Sequence, residues 1–101
     1  MSVLEFRDFD ASHYIKTAND VFDYLEAAFE DGDPGVISDM IGAVARSQGM
    51  AEIAAKTGLS RESLYRALSP KGNPKLSTLV EVLAALGLRL SVVLLVEVAE
   101  A

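Results

Sequence analysis

The chain contains no cysteine and only one histidine in 101 residues. Without cysteine there is neither a disulfide framework nor a thiolate metal site. The single histidine, His13, has no partner motif for catalysis, because the sequence offers no carboxylate pair in a pocket motif and no glycine-rich phosphate loop. We therefore predict a protein that is not an enzyme and has no metal or cofactor, with His13 as a surface or half-buried residue.

Long apolar runs are absent as well. Even Val92 to Val96, one of the longest, is far shorter than the roughly 20 residues that a helix needs to cross a bilayer. The first residues, MSVLEFRDFD, lack the basic and apolar regions of a secretory signal, so we expect a cytoplasmic protein. Half of the residues are apolar, which is enough for the core of one compact domain.

The net charge of −6 conceals an uneven distribution of charge along the chain. Residues 1–33 hold nine acidic residues against Arg7 and Lys16, whereas residues 46–75 hold six basic residues against Glu52 and Glu62. Such asymmetry suggests two surfaces with two different partners. An ordinary solvated surface would account for it equally well.

Capping and termination signals predict about five helices. Thr17 with Asp20 three residues later forms a capping box, and Gly32 ends the helix that follows. Apolar residues recur along this acidic helix at helical spacing and predict one apolar stripe. The members of that stripe are Val21, Phe22, Leu25, Ala28 and Phe29.

Four more helices follow the first. Asp33 and Pro34 begin the second, which ends near residues 47–49. The third covers Ala51 to Thr57, the fourth runs from its cap Ser60 to Leu68, and the fifth runs from its cap Ser77 to Leu86 before Gly87.

The period of the apolar pattern changes after the fifth helix. From Leu88 to Val96 every second residue is apolar, which predicts one β-strand. A lone strand needs a partner, either its twin across a two-fold axis or the segment from Val3 to Phe9. We thus predict a mainly α fold with a C-terminal strand, in which residues 1–33 form an acidic segment and residues 34–101 the remainder of one compact domain.

The third and fourth predicted helices have the spacing of a DNA-binding helix-turn-helix, two short helices joined by a glycine-containing turn. Ala54 allows close approach of the helices and Gly58 makes the turn. Ile53, Leu59, Leu64 and Leu68 would form the inward faces that hold the pair rigid. This leaves an outward arc on the fourth helix, because residues three and four apart share a helix face. The arc consists of Arg61, Glu62, Tyr65 and Arg66.

The residue types on this arc suit the reading of base edges. Arginine can donate two hydrogen bonds to guanine and glutamate can accept one from cytosine. Tyr65 is as compatible with half-buried packing as with a DNA contact. The loop residues Lys71, Asn73 and Lys75 would either hold phosphates or form a solvated turn. The predicted DNA-contacting residues are Ser60, Arg61, Glu62, Ser63, Tyr65, Arg66, Lys71, Asn73 and Lys75.

Two stretches of the chain resemble a known family. Residues 58–91 read GLSRESLYRALSPKGNPKLSTLVEVLAALGLRLS and residues 24–50 read YLEAAFEDGDPGVISDMIGAVARSQGM. They are similar to the lambda-repressor-like helix-turn-helix of HigA-like addiction-module antidote proteins and to the helices that precede it. The resemblance implies an antitoxin that neutralises a RelE/ParE-superfamily toxin, typically a small basic ribonuclease, and that represses their shared promoter as a dimer on a palindromic operator.

The chain departs from the family at the first turn of the third helix. Family members often have threonine and glutamine there, which can hold a phosphate, whereas this chain has Ala51 and Glu52. Glutamate repels the DNA backbone. This departure keeps open a second function, an interaction protein whose DNA surface has decayed. A stand-alone transcriptional regulator with the same DNA-reading helix and no toxin is a further alternative.

Overall fold

The computed structural model describes residues 15–95, which form five α-helices. In chain order these are α1 Ala18–Asp31, α2 Pro34–Gln48, α3 Met50–Thr57, α4 Arg61–Ala67 and α5 Leu76–Ala85. The predicted mainly helical fold is confirmed for this part of the chain. None of the helices between residues 15 and 95 is long and apolar enough to cross a membrane.

The capping box that starts α1 is present as predicted. The Asp20 N–H donates to the Thr17 hydroxyl at 3.1 Å, and the Thr17 N–H donates back to the Asp20 carboxylate at 3.0 Å. The Lys16 N–H donates to the same carboxylate at 2.9 Å. The backbone N–H groups of Lys16 and Thr17 stabilise the charged form of the Asp20 carboxyl and therefore lower its pKa below the usual value. The Lys16 N–H has the larger effect. Gly32, with φ of 81°, ends the helix.

Helix α2 is the central element of the core. It begins as predicted, with Pro34 in its first turn and the Asp33 carboxylate accepting from the Val36 N–H at 3.0 Å. Helices α1, α3 and α4 all pack against it. Each large apolar side chain buried in such a core contributes about 1.5–3 kcal/mol. The most deeply buried large side chains are Met40, Ile41, Val44, Ile53, Leu64, Leu68 and Val82.

The apolar stripe predicted for α1 is only partly buried. Val21, Leu25 and Ala28 lie in the core, but Phe22 is 49% exposed and Phe29 is 40% exposed. The prediction was wrong for the two phenylalanines because α2 is the main packing partner of α1 and covers a narrower arc than the apolar pattern occupies. Instead, Tyr24 fills the other side of the buried arc.

The fifth helix begins earlier than its sequence signal indicated. Ser77 was the predicted cap, whereas α5 starts at Leu76 with Lys75 in the capping position. The Lys75 carbonyl accepts the first helical hydrogen bond, from the Leu79 N–H at 3.0 Å. A serine cap contributes only about 1 kcal/mol, too little to fix a helix start when the preceding backbone already has the required geometry. Gly87 lies at the other end as predicted, with φ of 83°.

The C-terminal strand predicted for Leu88 to Val96 is not seen in the described residues. Residues 88–95 form neither helix nor strand, and Val96 and the segment from Val3 to Phe9 lie outside the described part of the chain. A strand requires a partner for its backbone N–H and C=O groups, and residues 15–87 supply only helices and loops. The side chains of Val92, Val93, Leu94 and Leu95 are between 65% and 93% exposed.

Candidate nucleic-acid interface

Helices α3 and α4 are the two helices of the predicted helix-turn-helix, and residues 58–60 join them. Gly58 has φ of 76°, and its N–H donates to the Ala54 carbonyl at 2.9 Å. This left-handed conformation, which favours glycine, turns the chain directly after α3.

Two side chains that border the turn fix its conformation. The Thr57 hydroxyl donates to the Ile53 carbonyl at 2.9 Å and accepts from the Leu59 N–H at 3.2 Å. Ser60 caps α4 as predicted, with its hydroxyl accepting from the Ser63 N–H at 3.0 Å. Sequence reasoning missed the role of Thr57, although a threonine directly before a terminating glycine is a usable signal.

The inward faces of α3 and α4 are packed as predicted. Ile53, Leu64 and Leu68 are at most 1% exposed, whereas Leu59 is only partly buried against the core. Since these side chains come from both helices, the angle between α3 and α4 is fixed by the core and not by the turn alone.

Glycines on α2 allow the C-terminal end of α4 to lie very close to the core helix. A Cβ atom at position 42 would collide with the Leu68 backbone carbonyl, and one at position 35 would lie 2.7 Å from the Pro70 carbonyl oxygen. Gly35 and Gly42 are seven residues apart and therefore lie on one face of α2. Sequence reasoning missed this contact, although the spacing of seven was visible.

All of the predicted DNA-contacting residues are exposed. On α4, Arg61 and Tyr65 form one row at i, i+4 spacing and Glu62 and Arg66 form the next, so both arginines lie on the face that is turned away from the core. The complete exposed set is Ser60, Arg61, Glu62, Ser63, Tyr65, Arg66, Lys71, Asn73 and Lys75.

The structure brings part of this set together in one groove. The groove has a volume of about 360 Å³ and lies between α4, the loop at residues 69–75 and the start of α5. Ser63, Arg66, Asn73 and Lys75 line it, so the loop residues do lie beside α4. Lys71 is not among the residues that line the groove.

Arg66 and Glu62 form an ion pair on the exposed face of α4. The Arg66 Nη2 atom lies 3.0 Å from Glu62 Oε1, and the two side chains are 73% and 84% exposed. An exposed pair of this kind is worth about 0–1 kcal/mol, so a phosphate or a base edge can displace either partner. The pairing itself was not predicted from the sequence.

A second exposed ion pair lies on α3. It includes Glu52, one of the two residues at which the chain departs from the family that it resembles. Glu52 Oε1 is 3.2 Å from Lys56 Nζ, with both side chains more than half exposed. Gly49 precedes this helix and provides no side-chain cap. The first turn of α3 therefore presents Ala51 and the Glu52 carboxylate to solvent.

The part of the chain that the structure describes does not meet the requirements of a metal site. Among residues 15–95, no group of three or more histidine and acidic side chains could hold a metal ion. His13 lies outside the described part of the chain.

Comparisons with known proteins identify relatives along almost the whole chain. A family model described as "Probable addiction module antidote protein" matches residues 5–94. An uncharacterized protein of Haemophilus influenzae is 34% identical over 88 residues, which covers 87% of this chain and 91% of the relative. No solved structure matches significantly.

Proposed function

Because the chain belongs to the family of probable addiction module antidote proteins, we propose that it is the antitoxin of a type II toxin–antitoxin pair. In this proposal the chain neutralises a RelE/ParE-superfamily toxin and represses the promoter of the pair. The observation that carries the proposal is the family match over residues 5–94, together with an exposed basic face on α4. It acts by binding and is not an enzyme.

The DNA-binding half of the proposal places α4 in the major groove as the recognition helix of a HigA-like, lambda-repressor-like helix-turn-helix. Arg61 and Arg66 would donate to guanine O6 and N7, and Glu62 would accept from cytosine N4. Ser60, Ser63, Lys71, Asn73 and Lys75 would hold phosphates, which fix register without specifying sequence. The exposure of all these side chains supports this assignment.

A palindromic operator requires two copies of α4 related by a two-fold axis, so we propose a homodimer. The exposed apolar side chains of residues 92–95 support it, because burial against a second copy would remove them from water. Pairing of two such segments would also supply the missing partner for the predicted strand.

A stand-alone transcriptional regulator is the second candidate function. It is compatible with the same exposed residues on α4 and in the loop at residues 69–75. The presence of a small basic protein encoded beside this chain separates the two candidates.

Co-expression with the adjacent gene, followed by pull-down and growth rescue, tests the antitoxin proposal. We expect a stable complex and restored growth. A gel shift with the chain's own upstream DNA over a salt series tests repression, and we expect specific binding that weakens steeply with salt. A chain that binds the operator but not the adjacent product is a regulator, and one that binds the product but no DNA has lost its DNA surface.

Replacing Glu52 with glutamine is expected to strengthen operator binding. The substitution removes a negative charge near the phosphates and releases Lys56, which together correspond to about a threefold gain in affinity at moderate salt. Gel-shift titration measures the effect. Glu81→Gln on α5 is the matched control, since it removes an exposed carboxylate elsewhere. Equal affinity of Glu52→Gln and wild type would show that α3 lies away from the backbone.

A further inference from the structure

The outer face of α1 combines exposed aromatic rings with carboxylates. We call it the α1 face and define it as Phe22, Asp23, Glu26, Phe29 and Glu30, all of which are exposed. Phe22 and Phe29 retain 49% and 40% of their surface in solvent, whereas the apolar residues of the core side of the same helix are buried. On the helix surface, both residues lie between the buried residues and the acidic residues.

Caps and packing fix the position of the helix that carries the α1 face. Phe22, Glu26 and Phe29 are spaced at i, i+4 and i+7, so the two rings lie on one line about 10 Å apart. The helix that carries them is capped at Thr17, ends at Gly32 and buries its opposite side against α2. A preorganised pair of aromatic side chains at this spacing has the character of interface anchors, which are enriched in aromatic residues and ringed by polar groups.

Charge determines which partner this face fits. Helix α1 contains five acidic residues and no basic one within Ala18–Asp31. DNA is excluded because phosphates and carboxylates repel, and a second copy is disfavoured because it would place acidic faces together. The N-terminal residues 1–14 are themselves acidic in sum, with Glu5, Asp8 and Asp10 against Arg7. A basic protein surface is the complementary partner.

We propose that the α1 face is the docking surface for the toxin, with Phe22 and Phe29 inserted into an apolar recess and the flanking carboxylates paired with lysines or arginines at its rim. This inference rests on the proposed antitoxin function and assigns the toxin site within it. Since α1 packs mainly on α2, its outer face is separate from the α4 face. The proposal thus assigns the toxin and the operator to different helices of the chain.

Binding of the full-length chain to the protein encoded beside it tests the proposal. The probe is that purified protein, titrated by calorimetry or biolayer interferometry. The double variant Phe22→Ser, Phe29→Ser is expected to weaken binding at least about 100-fold, since buried aromatic anchors each account for a tenfold loss or more. Leu76→Ser is the matched control, because Leu76 is a 69% exposed apolar residue on α5, and it is expected to bind as wild type.

The carboxylates are tested by Glu26→Gln, Glu30→Gln. We expect association about tenfold slower at low salt, with a reduced salt dependence, because rim charges act mainly on encounter. Helical circular dichroism and operator gel shift must remain as in wild type in every variant, which shows that the fold is intact.

The outcomes separate this proposal from the antitoxin function. If the wild type binds and the phenylalanine variant binds with the same affinity, the proposed docking surface is wrong. The proposed antitoxin function is then unaffected. Absence of wild-type binding overturns both. Loss of binding in Leu76→Ser alone would move the site to α5 and also overturns the proposal.

Discussion

The double variant Arg61→Ala, Arg66→Ala is expected to abolish specific operator binding while toxin binding stays unchanged. Each arginine that donates two hydrogen bonds to guanine contributes about 1–3 kcal/mol of discrimination, so the pair accounts for roughly 30-fold to 10⁴-fold in affinity. Both side chains are exposed on α4, and their removal leaves the buried faces of Leu64 and Leu68 untouched. Gel-shift titration against operator and scrambled duplexes measures the loss.

The control for this prediction is Arg89→Ala, which removes an exposed guanidinium outside α4. It should lower affinity for operator and scrambled duplexes by the same small factor. If the double variant also weakens both duplexes equally, the two arginines contact phosphates only, and the recognition helix has been assigned wrongly.

Gly42→Ala is expected to destabilise the chain and to weaken operator binding together. The added Cβ would collide with the Leu68 backbone carbonyl, which cannot move without shifting the end of α4. Overpacking of this kind costs about 1–3 kcal/mol, a large part of the stability of a small domain. Urea unfolding measures the change in the free energy of unfolding. A gel shift measures the loss of operator affinity that a displaced α4 would cause.

The direction of the stability change in Gly42→Ala shows whether the close contact exists. In a helix without the close contact, replacing glycine by alanine stabilises by roughly 1 kcal/mol. A more stable Gly42→Ala variant would therefore show that α2 and the end of α4 are not in contact. A destabilised variant with unchanged operator affinity would show that α4 keeps its position.

Local signals predicted the helices well. The capping box at Thr17, the Asp33 and Pro34 start and the Ser60 cap depend on hydrogen bonds within four residues, so their residue types suffice to place them. Gly32 and Gly58 are found at helix ends for the same reason. The inward faces of α3 and α4 followed from helical spacing alone.

Features that depend on distant partners could not be predicted in this way. The exposure of Phe22 and Phe29 reflects the width of the arc that α2 covers, which a pattern on α1 does not contain. The contact at Gly42 depends on where the end of α4 lies. The strand after Leu88 would require a partner that is not among the described residues.

The exposure of the candidate contact residues followed from the sequence, whereas the ion pairing among them did not. Exposure of the α4 arc followed from the burial of Leu64 and Leu68, because opposite sides of a helix cannot both face the core. The Glu62–Arg66 ion pair could have been suspected from i, i+4 spacing, but spacing does not say whether two exposed side chains meet each other or solvent.

In the proposed DNA complex, the Glu62–Arg66 ion pair would slightly lower the affinity of Arg66 for phosphates. The guanidinium already has an anionic neighbour 3.0 Å away, so a random duplex, which offers only phosphates, gains less from it than from an unengaged arginine. A site with guanine and cytosine at the right positions satisfies both members of the pair at once. The pair would then favour such a site over a random duplex by a small factor, about fivefold at most for a pair worth about 0–1 kcal/mol.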